Sequence, residues 1–354
     1  MSISFMVKIS FSGCKLGYDV VVVGMGAAAG AFTRYIDDKY SVLVVENVAL
    51  PRNKPCTGVI VSAAHDFLRE NKVAEAVFET PKVLDVTYVD WDNSIEQTSS
   101  KGAFNSNRKE FDEWLSKKAL SSRNIHVLDR TKFVDFVKVD NTLSRIIIER
   151  DGKMLSIICK YLIGADGALS TTRRKMQKVD IPYYIAIKQF ALNNGGIKQP
   201  LFIFDNSITD YYSWLVPKGR FVEVGVGAKL DNPREKFDLF LNKVHKKFGL
   251  VCSGEIQSAV VLRPRSIKDI FLGEGHVLLC GEAAALITPS GAEGISSALQ
   301  SGKFAAEAIN ENFDNAIVSY KQKSKVIIKR IQSKFKKASL MGDPQKRKKL
   351  FKQI

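Results

Sequence analysis

The run Tyr18-Asp19-Val20-Val21-Val22-Val23-Gly24 breaks directly into Met25-Gly26-Ala27-Ala28-Ala29-Gly30, and few chain geometries accept that junction. Four consecutive valines favour an extended strand, because branched Cβ atoms crowd a helix but pack well on a pleat. The small residues that follow permit a tight turn, and Ala27 to Asp37 then carries a helical pattern. A second apolar run, Ser41-Val42-Leu43-Val44-Val45, ends on Glu46. Short apolar strands separated by a helix describe a parallel sheet buried on both faces.

Within that strand-turn-helix-strand frame, Gly24-x-Gly26-x-x-Ala29 predicts a dinucleotide site. The first glycine makes the turn, the second lets a phosphate approach the backbone, and the third position needs only a small residue for helix packing. The first-turn amides of Ala27 and Ala28 and the positive end of the helix suit a pyrophosphate. Glu46, with Asn47 beside it, lies 20 residues after Gly26. There an acid accepts from a ribose hydroxyl pair, which favours FAD or NAD over a 2′-phosphorylated nucleotide.

Two later segments repeat the strand-turn style. Gly164-Ala165-Asp166-Gly167-Ala168-Leu169-Ser170 precedes Arg173 and Arg174, and a surface Asx turn is its plainer explanation. Gly281-Glu282-Ala283-Ala284 follows an apolar strand and leads through Pro289 to Gly291, Gly294 and Ile295. A carboxylate at a strand end, a proline turn and glycines at a helix start suit a ribityl chain and the pyrimidine edge of a flavin. Around residues 181–230 the pattern is β-rich, with Gly and Asn turns. The predicted architecture is α/β: a Rossmann-type FAD-binding domain interleaved with a β-rich substrate domain, plus a C-terminal helical basic tail. The first is assigned residues 1–82, 105–180 and 260–315, the second 83–104 and 181–259, and the tail 316–354.

In that order, the three motifs resemble the para-hydroxybenzoate hydroxylase type of FAD fold. Lys54-Pro55-Cys56-Thr57-Gly58 is similar to the K-P-C-G-G loop of the geranylgeranyl reductase family. Tyr212-Ser213-Trp214-Leu215-Val216-Pro217-Lys218 is similar to that family's Y-x-W-x-F-P-K motif, and Arg108-x-x-Phe111-Asp112 to the R-x-x-F-D helix of these flavoproteins. The chain departs from the pattern at Ala29, Thr57, Val216, Glu282 and Ala285. The resemblance implies FAD held by Gly24, Gly26, Ala27, Ala28, Ala29, Glu46, Asn47, Arg108, Asp166, Gly281, Glu282, Pro289, Gly291, Gly294 and Ile295. It also implies Cys56 beside the isoalloxazine in a catalytic role, and Tyr212, Trp214 and Pro217 against an apolar substrate, with an isoprenoid as the expected class. The implied reaction is C=C reduction by hydride transfer from reduced flavin. Tyr212-x-Trp214-x-Val216-Pro217 is also similar to the W-x-W-x-I-P motif of flavin halogenases, so a monooxygenase or halogenase is the alternative, and a non-catalytic FAD- or lipid-binding protein the third. One dinucleotide fingerprint is visible, which leaves the electron donor to be supplied as a partner.

Composition removes other classes. Of the net charge of +16, most sits in residues 321–354, where 13 Lys or Arg face one acid, leaving 40 basic and 36 acidic residues before them. A nucleic-acid-binding body is therefore not expected. Ile327, Ile331, Phe335 and Ala338 recur at helical spacing among lysines, describing a basic amphipathic helix that either packs on the body, frays in solvent or lies on an anionic lipid surface. Five cysteines (Cys14, Cys56, Cys159, Cys252, Cys280) form no C-x-x-C pair, and His65, His126, His245 and His276 have no metal spacing, so no metal is expected. No apolar run approaches the roughly 20 residues of a membrane span. A cytoplasmic location is expected, with peripheral contact at the cytoplasmic membrane face through the tail.

Overall fold

The computed structural model describes residues 17–351; Cys14 lies outside them. Two mixed layers form around two sheets. The first sheet runs in the order Gly273–Glu274, Val277–Leu279, Lys153–Gly164, Gly17–Val23, Val42–Val45 and Ile125–Leu128, with Ser144–Arg150 antiparallel on Lys153–Gly164 and Lys132–Lys138 antiparallel on Ser144–Arg150. The valine run lies at its centre, parallel to both neighbours: Val22 pairs with Val44 on one side and Ile163 on the other. Both faces of that strand are covered, so Val20, Val21 and Val22 are fully buried. This is what an uninterrupted apolar strand requires.

The second sheet runs Cys252–Leu262, Tyr183–Leu192, Phe221–Ala228, Ser213–Lys218, Leu201–Phe204, Phe78–Asp90, Ile95–Ser106 and Val59–Ile60. It is antiparallel except where Leu201–Phe204 meets Phe78–Asp90. One face packs on the helix Pro233–Phe248 through Phe237, Phe240 and Val244. The other presents Tyr184, Phe204, Tyr212, Trp214 and Val216 to the interior.

Two helices bring the phosphate-suited ends of the fold together. Ala27–Tyr35 and Ile295–Glu311 cross in backbone contact: a Cβ added to Gly302 would lie 2.0 Å from the Ala28 carbonyl oxygen. Only glycine permits that approach, and it sets both helix N-termini toward the same space. The segment after Leu279 departs from a simple strand-into-helix reading. Gly281–Ala284 is a single 3₁₀ turn, ended by Ala285 at φ 57°, and the long helix starts only at Ile295.

Through Phe351 the basic tail is helical, and its apolar stripe is not left free. Ala316–Met341 is one helix whose Tyr320, Ile327 and Ile331 are fully buried in the core of the first sheet. The Tyr320 hydroxyl donates to the Leu279 carbonyl at 2.6 Å. After a turn at Gly342 the helix Pro344–Phe351 folds onto the second sheet. Its Arg347 is 1% exposed and donates to both oxygens of Asp90 at 2.8 and 3.0 Å, to the Met341 carbonyl at 2.7 Å and to Asp92. Among the described residues no helix is long and apolar enough to cross a membrane.

Candidate active site

A continuous cavity of about 700 Å³ runs between the two sheets. This is within the range of cofactor and small-molecule sites. At one end its wall is glycine and backbone. Gly24 has φ +91°, and a Cβ there would lie 2.6 Å from the Ala165 carbonyl oxygen, so the first motif and the Gly164–Ser170 turn touch through this glycine. Gly26 is the N-cap of the helix Ala27–Tyr35 and carries the Arg52 guanidinium over it, with Nη2 2.6 Å from where a Cβ would be. The helix amides and Arg52 thus converge on one spot suited to a diphosphate.

Glu46 is 5% exposed and accepts from the amides of Met25 at 2.6 Å and Val48 at 3.1 Å. Arg52 Nη1 stands 3.7 Å from its carboxylate. Each oxygen keeps lone-pair capacity for a ribose hydroxyl pair. Asp112, from the helix Arg108–Ser121, is buried between two arginines: it accepts from Arg52 Nε at 3.1 Å and from Arg108 Nε and Nη2 at 2.8 and 3.2 Å. Burial pulls the Arg108 guanidinium down, but Asp112 and then Cys56 outweigh it and the net shift is upward, so it stays charged.

Asp166 turns inward to its own loop. It accepts from Ser170 Oγ at 2.6 Å and from the Thr172 amide at 3.1 Å, so it holds the turn at the cavity wall. Arg173 joins the second motif to the third, donating to the carbonyls of Ala168 at 2.6 Å, Glu282 at 3.1 Å and Ala283 at 3.0 Å. Glu282 accepts from the Leu262 amide at 2.8 Å and lies 3.8 Å from Lys54 Nζ. Its extra methylene relative to aspartate lets it reach the neighbouring sheet. The helix Ile295–Glu311 opens on the cavity through Gly291, Gly294, Ile295 and Ser296, with no side-chain cap on its first amides.

At the other end the wall is aromatic: Tyr184, Phe202, Phe204, Tyr211, Tyr212 and Trp214. Burial first, and then neighbouring Tyr211, lifts the Tyr212 hydroxyl well above its ordinary range, so it keeps its proton and donates to the Gly291 carbonyl at 3.0 Å. Trp214 Nε1 donates to Glu223 at 3.0 Å. The other Glu223 oxygen takes the Lys188 ammonium at 2.7 Å, and Lys188 also donates to the Cys56 carbonyl at 3.0 Å. A buried charge pair thereby links the aromatic strand to the Cys56 loop. Gly58 closes that loop at φ +68°, where a Cβ would meet the Ser106 carbonyl oxygen at 2.1 Å. Burial lowers the Lys218 ammonium; it donates to Asn105 Oδ1 at 2.6 Å and the Ser106 carbonyl at 2.8 Å.

Most residues named from sequence line this cavity: Gly24, Gly26, Ala27, Ala28, Glu46, Asn47, Cys56, Arg108, Asp166, Tyr212, Trp214, Gly281, Glu282, Gly291, Gly294 and Ile295. Three lie elsewhere. Ala29 is fully buried in the first-sheet core with Phe32. Pro217 has the parity of Leu215, not of Trp214, so period-two alternation turns it to the opposite face of its strand. Pro289 is buried one residue before the lining stretch that starts at Ser290. Residues the sequence pattern did not single out also line it. Arg52, Lys188 and Tyr184 do so, and so do Lys334, Lys337 and Met341 from the tail helix. Arg52 had a local signal in the loop before Lys54; the tail residues had none. Cys159 and Cys280 are buried, and burial pushes each thiol up to about 12. Among the described residues no cluster suits a metal ion.

Residues 17–187 match the FAD binding domain family model. The cavity fits that group: a glycine cradle that a Cβ would fill, two helix N-termini, the arginine pair on buried Asp112 and a ribose-suited acid meet along one groove. The cofactor is FAD, and residues 17–187 are its binding domain. Among similar proteins, Protein CbrA of Escherichia coli O6:H1 is 27% identical over 341 residues, covering 94% of this chain and 92% of the relative. A geranylgeranyl bacteriochlorophyll reductase-like protein from Thermoplasma acidophilum shares the fold at TM-score 0.78 and 19% identity, covering 92% of this chain and 88% of that one. PqsL of Pseudomonas aeruginosa, described as a probable FAD-dependent monooxygenase, does so at TM-score 0.71 and 14% identity, covering 95% and 100%.

Proposed function

We propose that this chain reduces C=C bonds of an apolar substrate, isoprenoid in class, held in the aromatic end of the cavity. The supporting observation is continuity: the glycine-lined groove passes Cys56 and Gly291 and becomes the aromatic chamber without a dividing wall. FAD, when bound and reduced, supplies a hydride. Arg52 and the amides that follow Gly26 would hold its diphosphate, Glu46 its ribose, and the uncapped amides after Gly294 the electron-rich edge of its ring. Tyr184, Phe204, Tyr212 and Trp214 exclude water and align an apolar chain. The Lys188–Glu223 pair fixes the Cys56 loop opposite them. Electrons come from a separate donor, since the chain carries one dinucleotide fingerprint.

The similarity of Lys54-Pro55-Cys56-Thr57-Gly58 to the reductase loop, and the fold shared with the Thermoplasma protein, support reduction over oxygenation. The fold shared with PqsL and the Tyr212-x-Trp214 pattern favour monooxygenation or halogenation as the second reading. Oxygen separates them. Dithionite-reduced holoprotein, mixed anaerobically with geranylgeraniol, is expected to reoxidise its flavin and yield a product heavier by a pair of hydrogens. A product formed only in air, carrying oxygen, would replace the reductase by the second reading.

A further inference from the structure

The helix Ala316–Met341 has two working faces. Its inner side closes the cavity with Lys334, Lys337 and Met341 and buries Tyr320, Ile327 and Ile331. Its outer side carries Lys321, Lys325, Lys329 and Lys336, all exposed. At about 100° per residue these four fall within an arc of roughly 80°, opposite the buried stripe, and span about 22 Å of helix axis. The helix contains no Asp or Glu, and among the described residues the four lysines make no ion pair. Val318, 62% exposed, lies on the same outer side, while Val326, 54% exposed, lies on its flank. Beyond the turn, Lys348 and Lys349 add two more exposed charges.

We infer that this lysine face docks on an anionic lipid bilayer. Charge complementarity selects the partner's sign, and three observations select a bilayer. The remainder of the chain is near charge balance, unlike a nucleic-acid-binding body. The lysine row is straight, with exposed Val318 on the same face, which suits an anionic interface with a shallow apolar layer. The same helix forms a wall of the apolar chamber, so docking sets that wall against the phase in which apolar substrates dissolve. Because the helix's main apolar stripe is spent on the core, docking is chiefly electrostatic and falls steeply with salt. The inference rests on the charge pattern and not on the reaction assigned to the chamber, so either stands without the other.

The test is sedimentation of the full-length holoprotein with phosphatidylcholine vesicles, with and without phosphatidylglycerol. Binding is expected only with phosphatidylglycerol and is expected to be reversed by added salt. The variant Lys321→Glu/Lys325→Glu/Lys329→Glu/Lys336→Glu should keep its flavin spectrum and thermal transition while losing at least tenfold in vesicle affinity. The exposed pair Lys348→Glu/Lys349→Glu serves as a milder second variant, expected to lose a few-fold. Equal binding to both vesicle types, no binding to either, or undiminished binding by the folded quadruple variant would overturn the inference. So would preferential binding to single-stranded RNA displacing the vesicles.

Discussion

The two ends of the cavity are built from different materials. The cofactor end is backbone: glycines at Gly24 and Gly26, helix amides, and carbonyls held by Arg173. The substrate end is side chain: rings from three strands and the turn before one of them, tied by Lys188 and Glu223 and closed by a helix from the C-terminus. Backbone walls specify a ligand by geometry and tolerate little change at glycine. A wall of side chains specifies volume and hydrophobicity, and is retuned one residue at a time. One end is thus fixed and the other adjustable, which matches a constant cofactor beside a variable substrate.

The largest break in this comparison is at the tail. Arg347→Met leaves Asp90 buried without its partner, and such losses run to about 3–5 kcal/mol. The expected result is a C-terminal segment open to proteolysis, with flavin still bound, because only the chamber loses a wall. Limited digestion beside an absorption spectrum checks both halves of that statement.

Gly24→Ala acts at the other end. Its Cβ meets a carbonyl oxygen at 2.6 Å on a left-handed backbone. About 3 kcal/mol, or a hundredfold weaker FAD binding, is expected from fluorescence titration, with the chamber intact.

Alkaline pH distinguishes the ends without mutation. Cys280 at the cofactor end and Cys159 in the first-sheet core beneath it are raised from 9.0 to about 12, and Tyr184 in the chamber from 10.0 to about 12. A raised folded pKa favours the protonated, native form. That stability is complete below the unfolded value and is lost as pH rises toward the folded one. The thiols therefore begin to cost stability above pH 9, by roughly 2–3 kcal/mol at pH 10 by linkage, and the tyrosine follows from pH 10. Thermal transitions followed by flavin absorbance should fall before any loss in the near-ultraviolet signal of the chamber tyrosines. The reverse order would place the weaker end in the chamber.

Glu223→Gln is the smallest of these changes, keeping the shape and removing one charge beneath Trp214 and Lys188. About 2 kcal/mol is expected in stability. Flavin affinity should be unchanged, and Trp fluorescence should shift because the indole partner changes. A fall in flavin affinity equal to that of Gly24→Ala would dissolve the distinction between the ends.

The cofactor end was legible in the sequence because its signals are local. Glycines of the first motif, Glu46 and the helix they serve lie within thirty residues, and the valine run announces its own burial. The chamber was legible only in part. Tyr212 and Trp214 alternate onto one face, but extending the motif to Pro217 ignored that the period turns it away. The rest depends on contacts that no local pattern encodes. Lys188 reaches Cys56 across 132 residues, and Arg347 reaches Asp90 across 257. The amphipathic pattern of the tail showed a buried stripe without showing what it would bury against. Its answer, the first-sheet core, also decides that Lys321, Lys325, Lys329 and Lys336 point outward.

The central claim is that the backbone-walled end holds FAD beside an apolar chamber. The most direct measurement is the visible spectrum of the purified protein, titrated with FAD, before and after adding geranylgeraniol. The account predicts flavin bands, FAD released on denaturation, and a shift of those bands on adding the alcohol. A protein that stays colourless with excess FAD would contradict the cofactor assignment. Flavin bands indifferent to the alcohol would contradict the chamber as a site for this substrate class.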